Sequence, residues 1–78
     1  MQDLRAILSA KIRIWQTRTR MDNAELARKS DVSIDAIYKL KRCERGASID
    51  VVGKLAGAFG IDPFMLLVPV MLDHGEDT

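Results

Sequence analysis

Leu4, Ile7, Leu8, Ile12 and Trp15 recur at spacings of three and four near the start of the chain. That period keeps one side of a helix apolar and predicts a first helix from Asp3 to about Thr19, with Trp15 continuing the buried stripe. Arg5, Lys11, Arg13 and Arg18 are expected on its solvated face. A second pattern, MDNAELARKSDVSIDAIYKLKR, runs from Met21 to Arg42 and breaks once, at Ser30-Asp31-Val32-Ser33. Asp22 with Glu25 three residues later forms a capping box that starts a helix near Asn23, whose buried face is Leu26 and Ala27. Asp31 tolerates a left-handed backbone, and Ser33 caps a further helix from Ile34 to Arg42. In that helix Ile37 and Leu40 fall on one face, and Val32 ahead of them packs into the turn. Ile34, Asp35, Tyr38, Lys39, Lys41 and Arg42 are left facing outward.

Cys43 to Ala47 reads as a short loop with Gly46 as its flexible point, after which Ser48 caps a fourth helix and Asp50 suits its N-terminus. Ile49, Val52, Leu55, Ala56 and Phe59 follow at helical spacing, and Gly60 ends the helix. Gly53 and Gly57, four apart, each weaken an isolated helix by about 1 kcal/mol, so either a neighbour packs closely on them or the helix tolerates them. Asp62-Pro63 is a cap with proline in the first turn, which predicts a short fifth helix. Pro69 then disfavours helix at Val68. The expected organisation is one domain over residues 3–68 and a tail over 69–78 that is apolar and then acidic.

At 78 residues the chain has room for one modest core. An apolar fraction of 47% with 29% charged residues belongs to globular proteins, and the net charge of +1 gives no global pull toward nucleic acid or membrane. The distribution matters more. Lys and Arg run from Arg5 to Lys54, whereas the ending Asp73-His74-Gly75-Glu76-Asp77-Thr78 carries three acids and no base. One cysteine, Cys43, and one histidine, His74, make neither a disulfide nor a metal site, and a reducing cytoplasm is the expected setting. Charges at Asp3 and Arg5 do not fit a signal peptide, and Phe64 to Leu72 is too short to span a bilayer. No paired carboxylates, nucleophile with base, or glycine-rich phosphate loop can be assembled, so neither an enzyme nor a cofactor or small-molecule substrate is expected.

Five helices in this order, with the second and third as a capped and tightly turned pair, resemble the helix-turn-helix domains of the phage Cro/repressor and Xre-like family. The likeness spans about Leu4 to Leu67. It rests on Ala24-Glu25-Leu26-Ala27, Asp31-Val32-Ser33, Ile37 with Leu40, Ser48-Ile49, and the ending Lys54-Leu55-Ala56-x-Ala58-Phe59-Gly60-Ile61-Asp62-Pro63 with Leu66-Leu67. The resemblance implies an all-α, compact five-helix, lambda-repressor-like domain. It also implies a regulator of transcription, expected to be a repressor, that binds double-stranded DNA as a homodimer with helix 34–42 in the major groove.

By position, the family likeness gives Asn23 a phosphate contact and sets Ser33, Ile34, Asp35, Tyr38 and Lys39 against base edges and adjacent phosphates. Arg42 and Arg45 become backbone clamps. Chemically, Lys39 can donate to guanine or a phosphate, Ile34 can pack on a thymine methyl, Ser33 can bond to either partner, and Asp35 can accept from a cytosine amino group. Tyr38 can stack or donate to a phosphate. Three departures stand out. Ile34 and Asp35 replace the Gln, Arg or Ser frequent in the family, Cys43 replaces a glycine, and Gln16 with Lys41 replaces an arginine–glutamate pair. Phe64, Met65, Val70, Met71 and Leu72 are more apolar surface than the core can use and are the expected dimer seam. The rival reading is a protein-interaction module on the same scaffold, antirepressor or antitoxin-like, in which Tyr38 and Ile34 meet a partner protein.

Overall fold

The computed structural model describes residues 3–67. Its elements are α1 (Leu4–Thr19), α2 (Asn23–Ser30), α3 (Ile34–Lys41) and α4 (Ile49–Phe59), followed by a 3-10 turn, Pro63–Leu66. All regular structure among the described residues is helical. Each predicted cap is made: Asp22 Oδ1 accepts from the Glu25 N–H at 2.8 Å, Ser33 Oγ from Ala36 at 3.1 Å, and Ser48 Oγ from Val51 at 3.2 Å. Asp3 caps α1 in the same way, accepting from the Arg5 N–H at 2.9 Å. Glu25 puts its carboxylate against Arg28 and Lys29, at 3.6 and 3.5 Å.

The helix ends share one device. Arg20, Asp31, Cys43 and Gly60, the residues that turn the chain out of the four helices, have φ of 56°, 61°, 60° and 75°. After α3, the N–H of Glu44 donates to Lys39 O at 2.9 Å and that of Cys43 to Leu40 O at 3.2 Å, which is the Schellman arrangement. Cys43 therefore occupies the left-handed position that glycine takes without strain, as its replacement of a family glycine implied. Between α2 and α3 the buried Ser30 hydroxyl accepts from the Val32 N–H at 3.2 Å, satisfying a donor that the tight turn would otherwise orphan.

Leu8 and Ile12 of α1, Leu26 of α2, Ile37 and Leu40 of α3, and Val52, Leu55, Ala56 and Phe59 of α4 meet in one core, joined by Met21, Val32 and Leu66. α1 lies against α3, α2 against α3 and α4, and the 3-10 turn closes onto α1 and α4. Trp15 packs on this core half-buried, with the Arg18 guanidinium 4.9 Å above its ring.

Several expectations change. The fifth helix is a single 3-10 turn, Pro63–Leu66, and that one turn buries Leu66. Lys11 is 2% exposed rather than on the solvated face, since its spacing of four from both Ile7 and Trp15 puts it in the buried stripe. Leu4 and Ile49 leave the core, 63% and 90% exposed, as first residues of their helices. A Cβ built on Gly53 or Gly57 meets nothing within 4 Å, so α4 tolerates these glycines and no close neighbour requires them.

Candidate nucleic-acid interface

The end of α3 is fastened to α1 through one carbonyl. Ser9 Oγ and Arg13 Nη2 donate to Lys41 O at 2.6 and 3.0 Å. Carbonyls in a last helical turn lack intrahelical partners, so a hydroxyl and a guanidinium both satisfy this one and complement the negative end of α3. The Lys41 side chain then crosses to the start of α2. Its Nζ donates to Gln16 Oε1 at 2.7 Å and to Asn23 Oδ1 at 2.8 Å, while Gln16 Nε2 donates to the same Asn23 oxygen at 2.8 Å.

Lys41 is thus half-buried rather than outward, because its long stem lies along the fold and delivers the ammonium to two neutral oxygens. No ion pair replaces the arginine–glutamate pair of the resembling family, but a hydrogen-bonded Gln16–Lys41–Asn23 cluster occupies its place. Burial, and secondarily the positive charge of Arg13, push the Lys41 pKa below the ordinary lysine value of 10.5. The cation is held, yet among the described residues no carboxylate pairs with it.

Arg13, Gln16, Thr17, Arg20, Met21, Asp22, Asn23 and Lys41 line an open cleft of about 530 Å³. Its one acid, Asp22, is already engaged in capping Glu25. Because Asn23 Oδ1 receives both Lys41 and Gln16, Asn23 offers an anion only its side-chain amide hydrogens and backbone N–H. The N–H groups of Asn23 and Ala24, in the first turn of α2, have no intrahelical acceptor and favour an anion there. Arg13, Gln16, Arg20 and Lys41 were not among the residues expected to form the site. The visible signal was the lysine at the position where the family carries a glutamate.

Ser33, Ile34, Asp35, Tyr38 and Lys39 do share one edge of the molecule. Ile34 and Tyr38 are 39% and 42% exposed, Ser33 and Asp35 are exposed, and Lys39 is half-buried. Two of the expected cations are already paired. Lys39 Nζ lies 3.2 Å from Asp35 Oδ2, one helical turn away, and Arg42 Nε lies 3.0 Å from Glu44 Oε2. Arg45 is exposed in the loop beyond. The structure therefore places Ile34, Asp35, Tyr38 and Lys39 on α3 with Ser33 at its N-cap, sets Asn23 in the cleft at the start of α2, and leaves Arg42 and Arg45 at the far end.

The apolar residues expected at a dimer seam divide. Phe64 is 68% exposed and Met65 half-buried, whereas Val70, Met71 and Leu72 lie outside the described residues. Phe64 borders an apolar groove of about 530 Å³, whose lining also includes Leu4, Leu8, Ile49, Val52 and Leu67.

The crystal structure of a hypothetical transcription factor from Neisseria matches this chain with a TM-score of 0.92 and 25% sequence identity, covering 96% of this chain and 86% of the other. No family model and no curated protein matches the chain. The likeness supports a transcription-factor fold of the helix-turn-helix kind. Among the described residues, no helix is long and apolar enough to cross a membrane.

Proposed function

We propose that this protein is a non-enzymatic, sequence-reading regulator of transcription of the Cro/Xre type that binds double-stranded DNA in the cytoplasm. The observation that carries this reading is the uncancelled Lys41 ammonium in a cleft with Arg13 and Arg20, beside the outward edge of α3. A phosphate in that cleft meets three cations and the first N–H groups of α2, which positions the domain without reading sequence. α3 then lies in the major groove, where Ile34, Asp35, Tyr38 and Lys39 meet base edges and Ser33 bonds to a base or phosphate. Asn23 donates in the cleft, and Arg42 and Arg45 contact the backbone further along. Acting as a repressor, the domain covers its operator.

The protein binds as a homodimer that sets two copies of α3 about 34–36 Å apart on a nearly palindromic site. The exposed Phe64 and the groove it borders support a seam on that side, with Met65, Val70, Met71 and Leu72 as its further members. Binding to random-sequence duplex DNA across a salt series tests the reading. Affinity is expected to fall steeply with salt as phosphate counterions are released. A flat salt dependence, or no binding at low salt, overturns it.

A protein-interaction module of antirepressor or antitoxin type is the second reading, favoured by the pairing of Lys39 with Asp35 and of Arg42 with Glu44. Replacing Lys39 and Arg42 together by Ala separates the two. DNA binding collapses under the first reading, and a protein complex survives under the second.

A further inference from the structure

We propose that Asp35 and Lys39 act as one reading unit, an acceptor and a donor held together, that selects a cytosine–guanine base pair in each half-site. The inference rests on the DNA-binding reading above and names what the edge of α3 prefers. A lone carboxylate on a surface that approaches phosphates is repelled, and a lone ammonium there binds any sequence. Joined at 3.2 Å on adjacent turns, the two carry no net charge into the groove, so repulsion and indiscriminate attraction both fall. What remains is their directional chemistry.

That chemistry fits one pair best. On the major-groove edge of cytosine–guanine, the cytosine N4 amine lies next to guanine O6, with guanine N7 beyond it, so one donor is followed by two acceptors. The Asp35 carboxylate accepts from N4, and the Lys39 ammonium donates to O6 and N7. The separation of the two side-chain heads is close to the N4-to-O6 hydrogen-bond distance within the base pair, about 2.9 Å. In an adenine–thymine pair the acceptors flank the single donor on opposite sides, and thymine adds a methyl group beside O4. The ammonium then reaches one acceptor rather than two.

The pair's exposure fits this role. The Asp35 side chain is 72% exposed and that of Lys39 44%, and both sit with the exposed Ile34 and Tyr38. Among the described residues, a further i,i+4 acid–base pair, Glu25 with Lys29, lies on α2. Asp35, like Asp50 of α4, lies in the first turn of its helix, where a negative charge is favoured, and that placement keeps its carboxylate at the exposed start of α3.

Selection of bound sequences from random duplex DNA, run on the wild type, Asp35→Ala, Lys39→Ala and the double variant, tests the proposal. Wild type should hold one cytosine–guanine position per half-site, with about 5–150-fold discrimination measured on defined duplexes. Asp35→Ala should lose that position while binding unrelated duplexes several-fold more tightly. Lys39→Ala should lose both the position and affinity, and in the Asp35→Ala background it should no longer alter preference at that position. A wild-type motif without a fixed cytosine–guanine position overturns the proposal, as does an Asp35→Ala motif identical to the wild type, and each leaves the DNA-binding reading standing. Failure of the wild type to bind any duplex at low salt overturns both.

Discussion

α1 carries a cleft at each end, and the two have the same volume but opposite chemistry. Near its C-terminal end, Arg13, Gln16 and Thr17 help to line a cationic cleft, and near its N-terminal end Leu4 and Leu8 help to line an apolar groove. The first is set by directional bonds: Ser9 and Arg13 fix a carbonyl of α3, and Gln16 and Asn23 fix the ammonium of Lys41. The second is set by contact alone, with Leu4, Ile49, Phe64 and Leu67 around its rim largely outside the core. Hydrogen bonds specify position, whereas apolar contact specifies only removal from water. Substitutions in the cleft should therefore change binding more than folding, and in the groove the outcome should depend on whether a side chain belongs to the rim or to the core beneath it.

The largest expected effect tests the groove. Leu66 is fully buried in the turn that also carries Phe64, so Leu66→Ala should lower unfolding free energy by about 2–5 kcal/mol in urea titration. Phe64→Ser, at the rim, should change it by no more than about 0.5 kcal/mol but reduce self-association in sedimentation. Equal stability losses for both would erase the distinction between rim and core. Next in size is Lys41→Ala in the cleft, which should weaken duplex binding about tenfold at low salt and lower the slope of log affinity against log salt by about one, with base preference unchanged. A slope equal to that of the wild type would remove the cleft from the interface.

Cys43→Gly offers a smaller test, at the junction after α3. Relief of a left-handed non-glycine residue should raise stability by about 1 kcal/mol, measured by thermal melting, without altering the orientation of α3. The smallest effect belongs to Asp3, at the groove end of α1. The Arg5 backbone N–H, and secondarily its side chain, hold the Asp3 carboxyl below its ordinary value of 3.8. A carboxylate whose pKa is lower folded than unfolded stabilises the fold above the unfolded value and loses that effect as pH falls through the folded one. Wild type and Asp3→Asn should therefore differ slightly in Tm at neutral pH and converge only as pH falls through the folded-state value, which lies below 3.8; a gap that persists in stronger acid would remove the Asp3 charge as its source.

Local chemistry made most of the backbone legible. Asp22, Ser33, Ser48 and Asp62 cap neighbours two or three residues away, and Asp31 and Gly60 turn the chain by their own preferences, so no distant partner had to be known. The fifth element was harder to read, because a cap and a proline announce a start but do not set length or hydrogen-bond type. Exposure at helix starts was illegible too: Leu4 and Ile49 have the right spacing for a core face, yet among the described residues they stand 63% and 90% exposed.

The sequence by itself determined where the four helices begin, that Ile34, Asp35 and Tyr38 are exposed on α3, and that Gln16 and Lys41 make no ion pair. The tertiary structure decided which charges are already spoken for. Lys41 meets Gln16 and Asn23 across separations of 25 and 18 residues, and Ser9 reaches Lys41 O across 32. Periodicity registers which face of a helix a residue occupies, but not the length and direction of a flexible side chain or the neighbour that receives it. Those depend on how α1, α2 and α3 pack, and that packing turns one lysine into the centre of a cationic cleft while Asp35 and Glu44 offset two others among the basic residues.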